Sequence, residues 1–480
     1  MERIATERIT GDPDTKGAEV FPKARSTPHD QPARATFVLL TIYVAMIFIR
    51  PQEWIPSMMD WPIMPVLILS AFLFWLFSAN KALDAPQFYL LGALMLFSPL
   101  TVALAGEGLS ASFETIIKLA PLYLTFLLIA ATALSRKRLH VMMWLMVGGA
   151  VLMSVHGIQQ KLTGTGWTGE VPILGRMRYI GIFNDPNDVG LSLVTALPMA
   201  MHLMRTNRRL IIKLLLLICV GIILWGIKLT DSRGTILALG AILGIYSWRR
   251  FGIFRTLVMG MMAIPTMFFL SSRLDTISPG EESAYGRLDA WYEGIQMLID
   301  NPVFGVGFGL FGDHNLLTAH NSYILVLAEL GIPGYFLWFS FFGSCIMMMY
   351  LLQKPRKKIK PAWQILTENR LQGRSDGPEF TADEELPAKD DLPPEDRAIA
   401  RVLFLSFVGF ATASFFLSRS YSMQLFLLCG MAVAHYQGTR LRTPREQAYS
   451  FFKHFWFWAF TSGASVIFLY FTVHLLLSLV

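Results

Sequence analysis

The sequence predicts an all-α, polytopic integral membrane protein with about 12–14 transmembrane helices and a long helical periplasmic loop. Three observations predict it. The 480 residues are 54% hydrophobic and only 16% charged, against roughly 25% charge in soluble domains. Apolar runs long enough to cross a bilayer recur along the chain. Lys and Arg crowd into every second connection between those runs. Lipid offers no partners for backbone N–H and C=O groups, so a spanning segment is a helix or part of a closed barrel. The runs lack the period-two alternation of barrel strands, which leaves helices.

Residues 1–35 are polar, proline-rich and charged, with no apolar core of signal-peptide type, and read as a disordered cytoplasmic tail. A transmembrane bundle is expected over 36–270, with helices near 36–50, 62–79, 86–105, 115–134, 139–159, 188–204, 210–228, 233–248 and 253–270. A periplasmic loop with the active-site elements follows at 271–321, then a transmembrane helix at 322–351. Residues 352–400 mix both charge signs with several prolines and read as a disordered cytoplasmic insert. C-terminal transmembrane helices fill 401–480, near 400–417, 422–437 and 455–478. The three cysteines, Cys219, Cys345 and Cys429, sit inside apolar runs and read as packing residues.

Charge sets the expected orientation. The basic connections hold Lys81; Arg136, Lys137 and Arg138; Arg205, Arg208, Arg209 and Lys213; Arg249, Arg250 and Arg255; Lys354 to Lys360; and Arg440, Arg442 and Arg445. The positive-inside rule puts these, with the N-terminus, in the cytoplasm. The opposite face then receives the connections 160–187, 229–232, 271–321 and 418–421.

Most of the residues suited to chemistry lie on that outer face. Arg176 and Arg178 project from a glycine-rich connection, and Asn187 or Asp188 is expected to cap the helix that follows. In TDSRG, Ser232 or Asp231 is the expected cap and Arg233 lies in the first turn of the helix that follows. A helix start attracts anions, so an arginine there suits a phosphate clamp or a carboxylate partner. YGRLDAWYEGIQMLIDNP has helical spacing, with Leu288, Trp291, Ile295 and Leu298 on one face and Arg287 in the first turn. The turn GVGFGLFG lacks the strand–helix frame of a phosphate loop and reads as close packing. His320, followed by Asn321, begins a helix that Gly331, Pro333 and Gly334 interrupt. Arginines nearby would keep His320 neutral, as a general base must be.

RYIGIFNDPNDVG, TDSRG, the loop carrying Arg287 and the HNSYILVLAELGIPG block together resemble the O-antigen ligase and O-antigen polymerase superfamily, in the family's order, over about 140–350. IRPQEW at Arg50 to Trp54 looks like the start of some O-glycosylation ligases of that superfamily. The resemblance implies inverting, metal-independent transfer of a glycan from an undecaprenyl-diphosphate donor to a glycan, lipid or protein hydroxyl. The reaction would take place at the periplasmic face of the bacterial inner membrane. It implies Arg233 and Arg287 as diphosphate ligands, with Arg178 as a further one, and His320 acting on the acceptor. No cofactor and no nucleic acid is expected, and no Asp-x-Asp or Cys/His cluster suggests a metal site on the outer face. An organic-anion or lipid-linked-saccharide transporter is the competing class; it would place its ionisable residues at mid-membrane.

Overall fold

The computed structural model describes residues 31–79, 81–270, 282–354, 392–443 and 449–479. Most of the expected N-terminal tail, residues 271–281 of the outer loop and most of the 352–400 insert lie outside them. The described chain is all-α and polytopic. Its helices run α1 (Gln31–Ile49), α2 (Pro51–Trp54), α3 (Ile63–Leu76), α4 (Pro86–Leu104), α5 (Gly108–Thr132), α6 (Arg136–Thr163), α7 (Pro186–Thr206) and α8 (Leu210–Thr230). They continue with α9 (Arg233–Phe251), α10 (Ile253–Leu270), α11 (Glu282–Asp300), α12 (Phe311–His314), α13 (Ser322–Leu351), α14 (Pro394–Ser414), α15 (Met423–Arg442) and α16 (Phe455–Ser478). A helix stands at each of the expected spans.

Among the described residues, eight helices are long and apolar enough to cross a membrane. α7, α9 and α15 are not among the eight, and packing gives the reason for α7 and α15. Both are buried along nearly their whole length; α7 packs against α6, α8, α9 and α14. A helix enclosed by other helices can carry polar groups that a lipid-facing helix cannot. α7 accordingly holds Asp188, Ser192, Thr195 and His202, and α15 holds Gln424, His435, Gln437 and Thr439, all buried. α8 shows the opposite pattern: Leu210, Ile211, Leu214, Leu215, Leu217 and Ile218 are exposed. Such a continuous apolar surface suits contact with lipid.

The alternate connections gather at two ends of the bundle. At the basic end, Asp396 is fully buried and holds Arg136 through Nε at 2.8 Å and Nη2 at 2.6 Å, and Arg442 through Nη2 at 2.9 Å. Arg440 pairs with Asp84 at 2.6 Å. The other end collects the outer connections of the sequence reading. There IRPQEW makes the single turn α2, in which Arg50 pairs with Glu53 and Trp54 packs on Trp167 with ring centroids 4.9 Å apart.

α13 is broken at Gly331, whose φ of 63° and ψ of −168° are non-helical. The break strips partners from nearby backbone groups, and the 301–311 turn replaces them. Val306 N–H donates to Ala328 O at 2.8 Å and Gly307 N–H to Glu329 O at 3.1 Å, while Ile332 N–H donates to Pro302 O at 2.8 Å. The buried Glu329 carboxyl group accepts from the N–H groups of Gly309 and Phe311. The glycine turn is thus a packing device against α13. A Cβ at Gly331 would lie 2.7 Å from Pro302 O. Gly331→Ala should therefore lower stability by about 1–3 kcal/mol or more, from the left-handed φ and the clash together. Thermal unfolding in detergent checks this; an unchanged midpoint contradicts it.

Candidate functional site

The outer end brings the starts of three long helices around one connection, residues 415–422. α7 begins at Pro186 behind the cap Asp185, whose Oδ1 accepts from Asn187 N at 2.7 Å. The cap expected at Asn187 or Asp188 is therefore corrected by two or three residues. Pro186 lacks an N–H and fits the first helical position, so the chain turns one step earlier. α9 begins at Arg233 behind Ser232, whose Oγ accepts from Thr235 N at 3.3 Å. α13 begins behind Asn321, whose Oδ1 accepts from Tyr323 N at 2.9 Å and Ile324 N at 3.2 Å.

Close contacts join these starts. A Cβ on Gly190 of α7 would run into Thr235 of α9, and one on Gly234 would sit 3.2 Å from Phe416 of the connection. Arg419 of the connection makes a two-pronged ion pair with Asp188 of α7, Nε to Oδ1 and Nη2 to Oδ2, the latter at 2.6 Å. Phe415 meets Trp291 of α11 edge to face, ring centroids 5.5 Å apart.

α11 packs on α13 and α16 through the predicted face: Leu288, Trp291, Ile295 and Leu298 are all buried. The helix already runs at Glu282, so Arg287 lies beyond the first turn expected for it. Its guanidinium is therefore not at the helix-start amides and acts by its own charge. Arg287 reaches His320 electrostatically, as do Asp185 and Arg419.

His320 is half-buried and stands just before the α13 cap with φ +48°. A left-handed backbone is uncommon for a side chain of this size and clusters at functional sites. Burial pushes its imidazole below the ordinary 6.5; Arg287 and Arg419 push the same way, and Asp185 opposes them. Asp231, just before Ser232 and Arg233, is also left-handed, with φ +44°.

The remaining expected residues fall into two groups. Arg178 is half-buried, its backbone N–H held by Gln160 Oε1 at 3.0 Å; its Nε is buried and makes no hydrogen bond to protein. Arg176 and Asn321 serve the scaffold. Arg176 donates from Nε to Thr230 O at 2.8 Å and from Nη2 to Asn187 Oδ1 at 2.7 Å, bracing the end of α8 to the start of α7. Asn321 is fully buried and spends its carbonyl on the cap. A cleft of about 320 Å³ lies between the end of α4 and the glycine turn, beside Thr101, Ala105, Phe304 and His314; none of the six expected residues lines it.

Residues 218–339 match the family model described as O-Antigen ligase. Over this segment the chain is similar to the O-antigen ligase family. No curated protein matches the chain. The O-antigen ligase segment contains Arg233, Arg287 and His320. The fold adds to it, from outside, two groups that act on His320, Asp185 from before it and Arg419 from after it, with Asp188 paired to Arg419. Sequence reasoning missed Arg419. The available signal was a lone arginine, in SRS, on a connection at the end otherwise poor in Lys and Arg.

Removing the O-antigen ligase segment's cap tests the scaffold role. Asn321→Ala should cost about 0.5–2 kcal/mol in thermal unfolding, and Asn321→Asp or Asn321→Ser, which keep a capping oxygen, much less. Equal losses in all three would contradict a capping role.

Proposed function

We propose that this protein transfers a glycan from an undecaprenyl-diphosphate carrier to an acceptor hydroxyl at the periplasmic face of the bacterial inner membrane. The observation that carries the proposal is His320. A half-buried imidazole in a strained backbone position, its pKa lowered by burial and within electrostatic reach of Arg287 and Arg419, has the attributes of a base set next to an anion site.

The chemistry follows from those groups. His320 takes the proton of the acceptor hydroxyl as its oxygen attacks the anomeric carbon. Attack from the face opposite the carrier inverts that carbon. The leaving group is a lipid diphosphate, already a stable anion, so no strong general acid is required. Charge that accumulates on it as the glycosidic bond breaks is held by the Arg233 and Arg287 guanidiniums, with Arg178 as a third. The N–H groups opening α9 add to this hold. Fixed guanidiniums in a partly dehydrated site do the work that a divalent ion would otherwise do, which makes the transfer metal-independent. The polyprenyl tail lies along the apolar surface of the helices, and the bulk of the glycan projects away from the membrane.

The orientation rests on charge. The connections of the site end are poor in Lys and Arg and those of the opposite end are rich, which supports a site outside the cytoplasm. The same distribution favours transfer over transport. Among the described residues, the ion pairs lie at the two ends of the bundle, whereas a carrier places its ionisable residues at mid-membrane.

His320→Ala and Arg287→Ala should each lower transfer by about 10²-fold or more, with normal membrane insertion. A strain carrying either variant should accumulate lipid-linked glycan and lack the glycosylated acceptor. Full transfer by both variants would sink the assignment. A second check uses pH. The base must be neutral, and its pKa lies below the ordinary 6.5. Transfer should therefore stay above half-maximal at pH 6.5 and fall as pH drops through the lowered pKa. Arg287→Gln removes a cation and should move that acid limb upward. A limb above pH 6.5 in the wild type would contradict the base role.

A further inference from the structure

Arg419 looks at first like one more arginine for the diphosphate, but its partners argue otherwise. Nε and Nη2 are taken by the two oxygens of Asp188, and Nη1 by the Ser418 carbonyl at 3.0 Å. Asp188 is 4% exposed, so its charge depends on this partner. These bonds engage every nitrogen and three of the five N–H donors, so it is the Asp188 pair that sets the orientation of the guanidinium.

The connection that Arg419 fastens to α7 is stitched to the segment bearing His320. Thr318 Oγ1 donates to Ser418 Oγ at 2.8 Å. Ser322 Oγ donates to Leu417 O at 2.5 Å and accepts from Arg419 N at 2.8 Å. Ser420 Oγ donates to Ser322 O at 2.7 Å, and Trp338 Nε1 fixes Ser420 O at 3.0 Å. Thr318 and Ser322 flank His320 on either side. A left-handed histidine relaxes unless its surroundings hold it there, and these bonds are the hold.

We propose that Asp188 and Arg419 are positioning residues for His320. Their ion pair clamps the 415–422 connection to α7, and the connection clamps residues 318 and 322 so that the imidazole keeps its place. This rests on the reading of His320 as the base. The charged groups that face His320 are Arg287 from α11, Asp185 from the entry to α7, and Arg419.

The test reads His320 itself. Its carbethoxylation by diethylpyrocarbonate, a reaction of the neutral imidazole, is followed by mass spectrometry across pH in the purified full chain. Binding of undecaprenyl diphosphate is measured beside it. Arg419→Gln should raise the midpoint of the His320 profile, because a nearby cation is lost. The double variant Asp188→Asn with Arg419→Gln leaves no lone buried charge and guards against misfolding. In it, the high-pH rate of His320 modification should change by about tenfold, as for other supporting groups behind a functional side chain. Its Kd for undecaprenyl diphosphate should stay within about twofold. Arg419→Lys keeps the charge without the fork and should fall between. Unchanged His320 reactivity in the double variant overturns the proposal. So does a Kd weakened about tenfold with reactivity intact, which would make Arg419 a ligand of the diphosphate. A wild type that does not bind undecaprenyl diphosphate overturns the functional reading alone, since the reactivity measurement still decides the positioning role.

Discussion

The ion pair between Asp188 and Arg419 joins parts of the chain that are far apart in sequence. Asp188 lies in the first turn of a buried helix, where a carboxylate has no water to solvate it. The fork of Arg419 supplies two hydrogen bonds and the opposite charge at once. Around this pair the starts of α7, α9 and α13 come together, and α11 reaches in through Trp291. Breaking a buried pair by removing one partner typically costs about 3–5 kcal/mol. The outer end is therefore built on a contact that must be kept whole, and the residues of the O-antigen ligase segment inherit their arrangement from it.

A second constraint acts on α13. Backbone broken within a membrane protein must find its partners in protein. The glycine turn supplies them, by entering the break at Gly331 with Val306 and Gly307 and closing over the Glu329 carboxyl group. This fixes the loop that carries α11 and His320 to the bundle from one side, while the 415–422 connection fixes it from the other. A polar segment held on both sides supports a strained histidine; a free loop would let it relax.

Much of this was legible in the sequence. Helix positions, the buried face of α11, a cap at Ser232 or Asp231 with Arg233 in the first turn, and the packing role of the glycine turn all follow from local pattern. Each depends on residues within a turn or two of one another. Hydropathy alone was less reliable: α7 and α15 are too polar to score as spans, because their neighbours are helices and not lipid. The alternation of charge across the chain supported counting them among the spans. What stayed hidden was long-range or conformational. Arg176 bracing Thr230 and Asn187, Arg419 meeting Asp188, and the left-handed backbone of His320 have no signature in the neighbouring residues. Arg287 was displaced from its expected place because the helix runs back to Glu282, a boundary that spacing on one face does not mark.

The central claim is that Arg233, Arg287 and His320 surround one anion at the outer end of the bundle. The most direct measurement is a structure of the chain in lipid nanodiscs with bound undecaprenyl diphosphate. The diphosphate should lie at the start of α9, between the Arg233 and Arg287 guanidiniums and within hydrogen-bonding reach of a donor sugar placed against His320. A diphosphate bound at the basic end, beside Arg136 and Arg442, or midway along the bundle would contradict the account.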